Sequence, residues 1–147
     1  MQTERDVVVA PAPETATLAR LELPGSRLSV EVRRDGDLTS LWLRSLVDAG
    51  QSLLLPLPQH AAPQGFSLFT RLGRWHALHW AVVFGCDAEP PREVRFASAD
   101  LRFRQEAVTV PVRLGPCWIA EARGMFATAT VTPPTGGPMT VALARQW

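Results

Sequence analysis

Two histidines three residues apart, His76 and His79, and two cysteines, Cys86 and Cys117, are the side chains of this sequence best suited to chemistry. Imidazole nitrogen and thiolate sulfur are donors that Zn²⁺ accepts, and Asp87 stands beside the first cysteine as a further oxygen donor. The spacing works against a shared ion. Residues three apart on a strand point to opposite faces, so His76 and His79 could meet at one ion only on a helix or across a bulge. No Cys-x-x-Cys knuckle occurs, and each sulfur stands alone in sequence. The histidines are therefore expected to be hydrogen-bonded at a strand and its rim, and no cofactor is expected. The cysteines lie at glycine-marked strand ends, in Gly85-Cys86 and Gly115-Pro116-Cys117, where a disulfide could join them. Two buried free thiols are the preferred reading.

Covalent catalysis needs a nucleophile, a base and a group that orients the base. The sequence has no Gly-x-Ser-x-Gly elbow and no His-Glu-x-x-His, and a phosphate loop with its lysine is ruled out because the chain contains no lysine. Asp35 and Asp37 form a carboxylate pair, but they flank a glycine where a turn is expected and serve the backbone better than proton transfer. The expectation is a non-catalytic protein.

The basic residues could instead hold a polyanion. Arg92, Arg95, Arg102, Arg104, Arg113 and Arg123 fall on successive predicted strands and could line one side of a sheet. Glu93, Asp100, Glu106 and Glu121 interleave with them, and pairing of opposite charges across strands is the ordinary use of such a pattern. A net charge of +1 over 147 residues also lacks the basic excess that phosphate neutralisation requires. Nucleic acid is not the expected partner. Five tryptophans, at 42, 75, 80, 118 and 147, could form a binding platform if exposed, but are expected mainly in the core.

Whatever binds, strands must position it. Residues 1–16 read as an extended arm, since Pro11 and Pro13 exclude helix there. From Thr17 apolar residues recur with period two, and Leu28, Val30 and Val32 alternate with Ser29, Glu31 and Arg33, which specifies a strand. Asp35-Gly36 then predicts a hairpin with positive φ at both central positions. Its returning arm, Leu38 to Val47, is read as strand, with a short helix over 38–49 as the alternative. Pro56 and Pro58 restrict the run from Leu53 to Leu57 to an edge strand or an irregular crossing. Trp75 to Phe84 has large apolar residues on both alternating sets, the pattern of a central strand covered on both faces. Shorter alternating pieces follow, separated by Gly and Pro. Among them Cys117–Ala122 and Met125–Thr132 flank Arg123-Gly124 like the arms of a hairpin, and Met139–Ala144 reads as the last strand.

Strands at this spacing predict an all-β domain over 17–147, an antiparallel β-sandwich or partly open barrel. Its length suits one domain with one core. Hydrophobic residues at 46% and charged residues at 20% are ordinary for a globular chain, and no apolar run reaches membrane-spanning length. Arginine without lysine, with abundant Ala, Pro and Gly, suggests GC-rich bacterial coding. The acidic start gives no export signal, so a cytoplasmic location is expected if Met1 is the natural start, and an extracytoplasmic one if a leader was removed. The expected function is a binding or assembly module that acts through protein contacts, including self-association, or through a small ligand, with the sheet edges as the natural interface. The alternatives are a metal-binding protein or small enzyme using the His76/His79/Cys86 region, and nucleic-acid binding by an arginine-rich sheet face.

Overall fold

A computed structural model describes residues 15–47, 50–57, 62–71, 77–87, 89–99, 102 and 104–145. It is all-β, with no helix among the described residues, and no sheet closes into a barrel. The first sheet is a meander of β1 (Thr15–Glu22), β2 (Leu28–Asp35), β3 (Leu38–Ser45) and β4 (Ser52–Pro56), paired in sequence order. The expected arm at 1–16 lies almost wholly outside the described residues, and β1 takes up its last two positions.

The returning arm of the first hairpin is strand β3, and no helix forms over its described part. Its register differs by one position from the expected turn. Asp35 pairs with Leu38, which leaves Gly36 and Asp37 as the two loop residues. Only Gly36 has positive φ, at 64°. Glycine at the first loop position with an ordinary second residue is the pattern of a type II′ turn, whose twist suits a hairpin as well as the expected Asp-Gly turn does. As expected of a proline-bearing strand, β4 runs along the sheet edge and pairs only with β3.

The central sheet is ordered β13-β5-β6-β10-β9, from β5 (Gln64–Arg71), β6 (Ala77–Gly85), β9 (Val112–Leu114), β10 (Cys117–Arg123) and β13 (Ala144–Arg145). The third sheet is ordered β12-β11-β7-β8, from β7 (Glu93–Ala97), β8 (Glu106–Thr109), β11 (Thr128–Thr132) and β12 (Met139–Ala142). Among the described residues every pairing is antiparallel except that of β13 with β5. Only Leu143 separates β12 from β13, which leaves no room for the chain to reverse as it passes from the third sheet to the central one.

The doubly apolar pattern around residue 80 is explained by this stacking. Val82 and Phe84 of β6, with Ile119 of β10, face a core shared with Leu28, Val30, Leu41 and Leu43 of the first sheet. Ala81 and Val83, with Trp118 and Ala120, face a second core shared with Val94, Phe96, Phe126 and Val131. The central sheet is thus buried on both faces, and the chain packs around two cores where one was expected from its length. The expected hairpin around Arg123-Gly124 does not form. Gly124, at φ 144°, instead carries the chain from the central sheet to the third, where β11 pairs with β7 and β12. The Phe126 ring folds back to within 2.7 Å of where a Cβ on Gly124 would sit, so glycine is required for that crossing.

Candidate functional site

The residues expected to carry chemistry are dispersed by this architecture. His76 lies outside the described residues. His79, on β6, is half-buried with its ring 6.0 Å from that of Phe69, and its backbone carbonyl accepts a hydrogen bond from Gly124 N–H. Cys86 and Cys117 are joined in a disulfide, because the pairing of β6 with β10 sets Gly85 opposite Trp118 and brings the two sulfurs together at the strand ends. This replaces the two free thiols preferred from sequence, and sulfurs so bonded have no thiolate to offer a metal. Asp87 is committed as well, accepting a hydrogen bond from Trp118 Nε1 at 3.1 Å. Among the described residues no group of three or more His, Cys, Asp or Glu stands together.

The arginine series does not gather on one sheet face. Arg95, on β7, is held across strands by Glu106 of β8 at 3.4 Å, the pairing that the interleaved acids imply, and along its own strand by Glu93 at 3.6 Å. Arg102 and Arg104 precede β8 and belong to no strand. Arg113 lies in the central sheet rather than the third and donates to the Gly115 carbonyl at 3.3 Å. Arg92 stands just before β7, its backbone N–H bonded to the Thr132 carbonyl. Of the five tryptophans, Trp118 is fully buried, Trp80 and Trp42 are half-buried, and Trp75 and Trp147 lie outside the described residues.

Three other features stand out. One is an edge. Residues 106–114 run from β8, at the rim of the third sheet, to β9, at the rim of the central sheet, and among the described residues each of these strands pairs on one side only. Along this run Val108, Val110 and Val112 are 54%, 72% and 47% exposed. The period-two pattern around Val110 signalled strand, but not that the valines would face solvent. Burial here falls to Ala107, Pro111 and Leu114, which turn inward.

A second feature is a cleft of about 470 Å³ beside His79, between the central sheet and the chain crossing at Gly124. Ser67, Ser98, Gln105, Met125 and Phe126 contribute to its walls, as does Arg145, which stands 5.1 Å over the Phe69 ring. Its volume lies within the range of small-ligand sites.

The third lies on the outer face of the first sheet. The register of the first hairpin places Glu31 opposite Trp42 and Ser29 opposite Arg44, while Arg20 of β1 pairs with Glu31 from the other side. Glu31 is 5% exposed, although it faces away from the core. Its Oε1 accepts from the Thr17 hydroxyl at 2.6 Å and from Arg20 at 3.2 Å, and its Oε2 pairs with Arg33 at 3.0 Å. The Thr17 hydrogen bond, with those of the two arginines, outweighs burial and lowers the Glu31 pKa from an ordinary 4.5 to about 2. A carboxyl group with a depressed folded pKa contributes stability that is present above the unfolded pKa and lost as pH falls through the folded one. Acid titration of unfolding should therefore show a loss of about 2 kcal/mol between roughly pH 4.5 and pH 2, discounted for solvent around the exposed Arg20. Thr17→Val should flatten this dependence, and an unaltered acid limb in the variant would count against the assignment.

Comparison with known proteins gave no match among family models, curated proteins or solved structures.

Proposed function

We propose that this chain is a non-catalytic binding and assembly module whose contact surface is the strand edge at residues 106–114. The observation that supports this reading is the row of three exposed valines on a stretch that carries the terminal strands of two sheets. An unpaired strand edge presents N–H and C=O groups ready for another strand, and natural edges are commonly blunted by charge or proline to prevent such pairing. Here Val108, Val110 and Val112 give the stretch an exposed apolar row between the charged Glu106 and Arg113, while Pro111 is buried and interrupts it only at the passage between sheets. Backbone pairing asks little of a partner's sequence, so another copy of the same chain is a competent partner, and a twofold arrangement would satisfy both edges at once.

Sedimentation velocity through the micromolar range tests this. The wild-type chain should show a weight-average mass that rises with concentration, and the double variant Val108→Lys/Val110→Lys should remain monomeric. Both positions are exposed, so the substitutions should change stability by only about 0.5 kcal/mol. A wild-type protein that stays monomeric throughout, or a variant that associates equally well, contradicts the proposal.

A second reading, uptake of a small ligand in the cleft beside His79, is favoured by the cleft's size and by the convergence of Ser67, Gln105 and Arg145 on a largely apolar wall.

A further inference from the structure

The outer face of the first sheet carries a cationic hollow that the proposed assembly does not use. Arg20, Arg33 and Arg44 surround about 180 Å³ with Ser29, Glu31 and Trp42 as the remaining walls. By the water-volume measure this space holds about six waters, so it suits a compact polar group. Three guanidinium charges against the single Glu31 carboxylate leave two positive charges in excess.

Both oxygens of Glu31 are already engaged, by Thr17 and Arg20 on one side and by Arg33 on the other. The carboxylate therefore acts as a brace and cannot neutralise Arg44. Among the described residues no carboxylate pairs with Arg44, whose guanidinium stands 5.1 Å from the Trp42 ring centroid. The Arg33 guanidinium lies closer, 3.9 Å from the same ring, and its Nε is buried without a hydrogen-bond partner. Stacking on Trp42 also limits the freedom of two long side chains, so less entropy is lost when an anion engages them.

We propose that this hollow binds a tetrahedral oxyanion, phosphate or sulfate in chemistry, either free or as the terminal group of a larger ligand. Arg33 and Arg44 donate the forked N–H pairs that match such an anion, Arg20 closes the third side, and Ser29 adds a hydroxyl. Glu31 holds Arg20 and Arg33 in place and acts as a positioning residue.

Isothermal titration calorimetry tests the site with sodium phosphate, sodium sulfate and the methyl ester of each, at fixed ionic strength in chloride. Saturable one-to-one binding in the millimolar range is expected. Arg44→Ala should weaken it roughly ten- to a hundredfold, the value of one charge-assisted hydrogen-bonded group. Arg44 is the position to change because it does not hold Glu31, and Arg113→Ala on the central sheet should leave binding intact. Tighter binding of methyl phosphate than of inorganic phosphate, compared at a pH where both are dianions, assigns the site to a larger ligand, and the reverse preference assigns it to the free anion; methyl sulfate, with one charge fewer than sulfate, shows how far binding depends on charge. Absence of saturable binding by any of the four, or equal binding by the wild type and Arg44→Ala, overturns the proposal.

Discussion

Trp118→Ala should lower the free energy of unfolding by about 3 to 5 kcal/mol, which for a chain of this length corresponds to a fall in Tm of about 10 to 15 °C. Trp118 is the largest fully buried side chain, 1% exposed, in the core between the central and third sheets. Its neighbours there include Ala81, Ala120, Ala122 and Ala129, which are too small to fill the space the indole would vacate. The substitution also removes the hydrogen bond from Nε1 to Asp87. Gly85 lies opposite Trp118, and a Cβ placed there would stand 2.7 to 2.9 Å from the indole. Gly85→Ala should accordingly be damaging in the wild type and much less so alongside Trp118→Ala, a coupling that a double-mutant cycle in urea measures directly. Additive effects of the two substitutions would mean that the indole does not occupy the space over Gly85.

Reduction of the Cys86–Cys117 disulfide is the second large effect. The bond closes a loop across 31 positions of sequence, and constraining such a loop in the unfolded chain stabilises the fold by about 3 to 4 kcal/mol in the chain-entropy model. The Cys86→Ser/Cys117→Ser variant should reproduce the loss seen on reduction. Thiol titration of denatured protein gives the independent check: no reactive thiol before reductant and two after it. Two reactive thiols in unreduced protein would remove the bond and the stability assigned to it.

The fold was legible in the sequence wherever side-chain periodicity met a turn signal. Alternation before Asp35, the glycine after it and the two-sided apolar run ending at Phe84 placed the first hairpin and the central strand correctly. The turn register and the chain crossing at Gly124 were less accessible, because both depend on backbone angles that several local sequences can satisfy. Arg123-Gly124 resembles a hairpin turn locally, and the pairing of β11 with β7 and β12 shows that the chain changes sheet there.

The sites were harder to read, because a sheet assembles them sideways. His76, His79, Cys86 and Cys117 drew attention through side-chain type, but lateral pairing joins the cysteines to each other and leaves His79 against Phe69. Arg20, Glu31, Arg33, Trp42 and Arg44 form no sequence motif and lie on three strands. A signal for part of this group was nevertheless present. Once Asp35 faces Leu38, the antiparallel register sets Glu31 against Trp42 and Ser29 against Arg44 without further information. The exposed valines at 108, 110 and 112 illustrate the opposite difficulty, since apolar alternation specifies a strand but not which of its faces is covered.

The assembly reading depends on residues 106–114 becoming a shared strand edge. Amide hydrogen exchange, followed residue by residue at low and at high protein concentration, addresses that dependence most directly. Exchange should slow at the higher concentration, and the slowing should be confined to β8, β9 and the link between them. Unchanged exchange along that stretch while the mass rises, or slowing centred on β4 or β12 instead, would place the contact elsewhere and contradict the assembly reading.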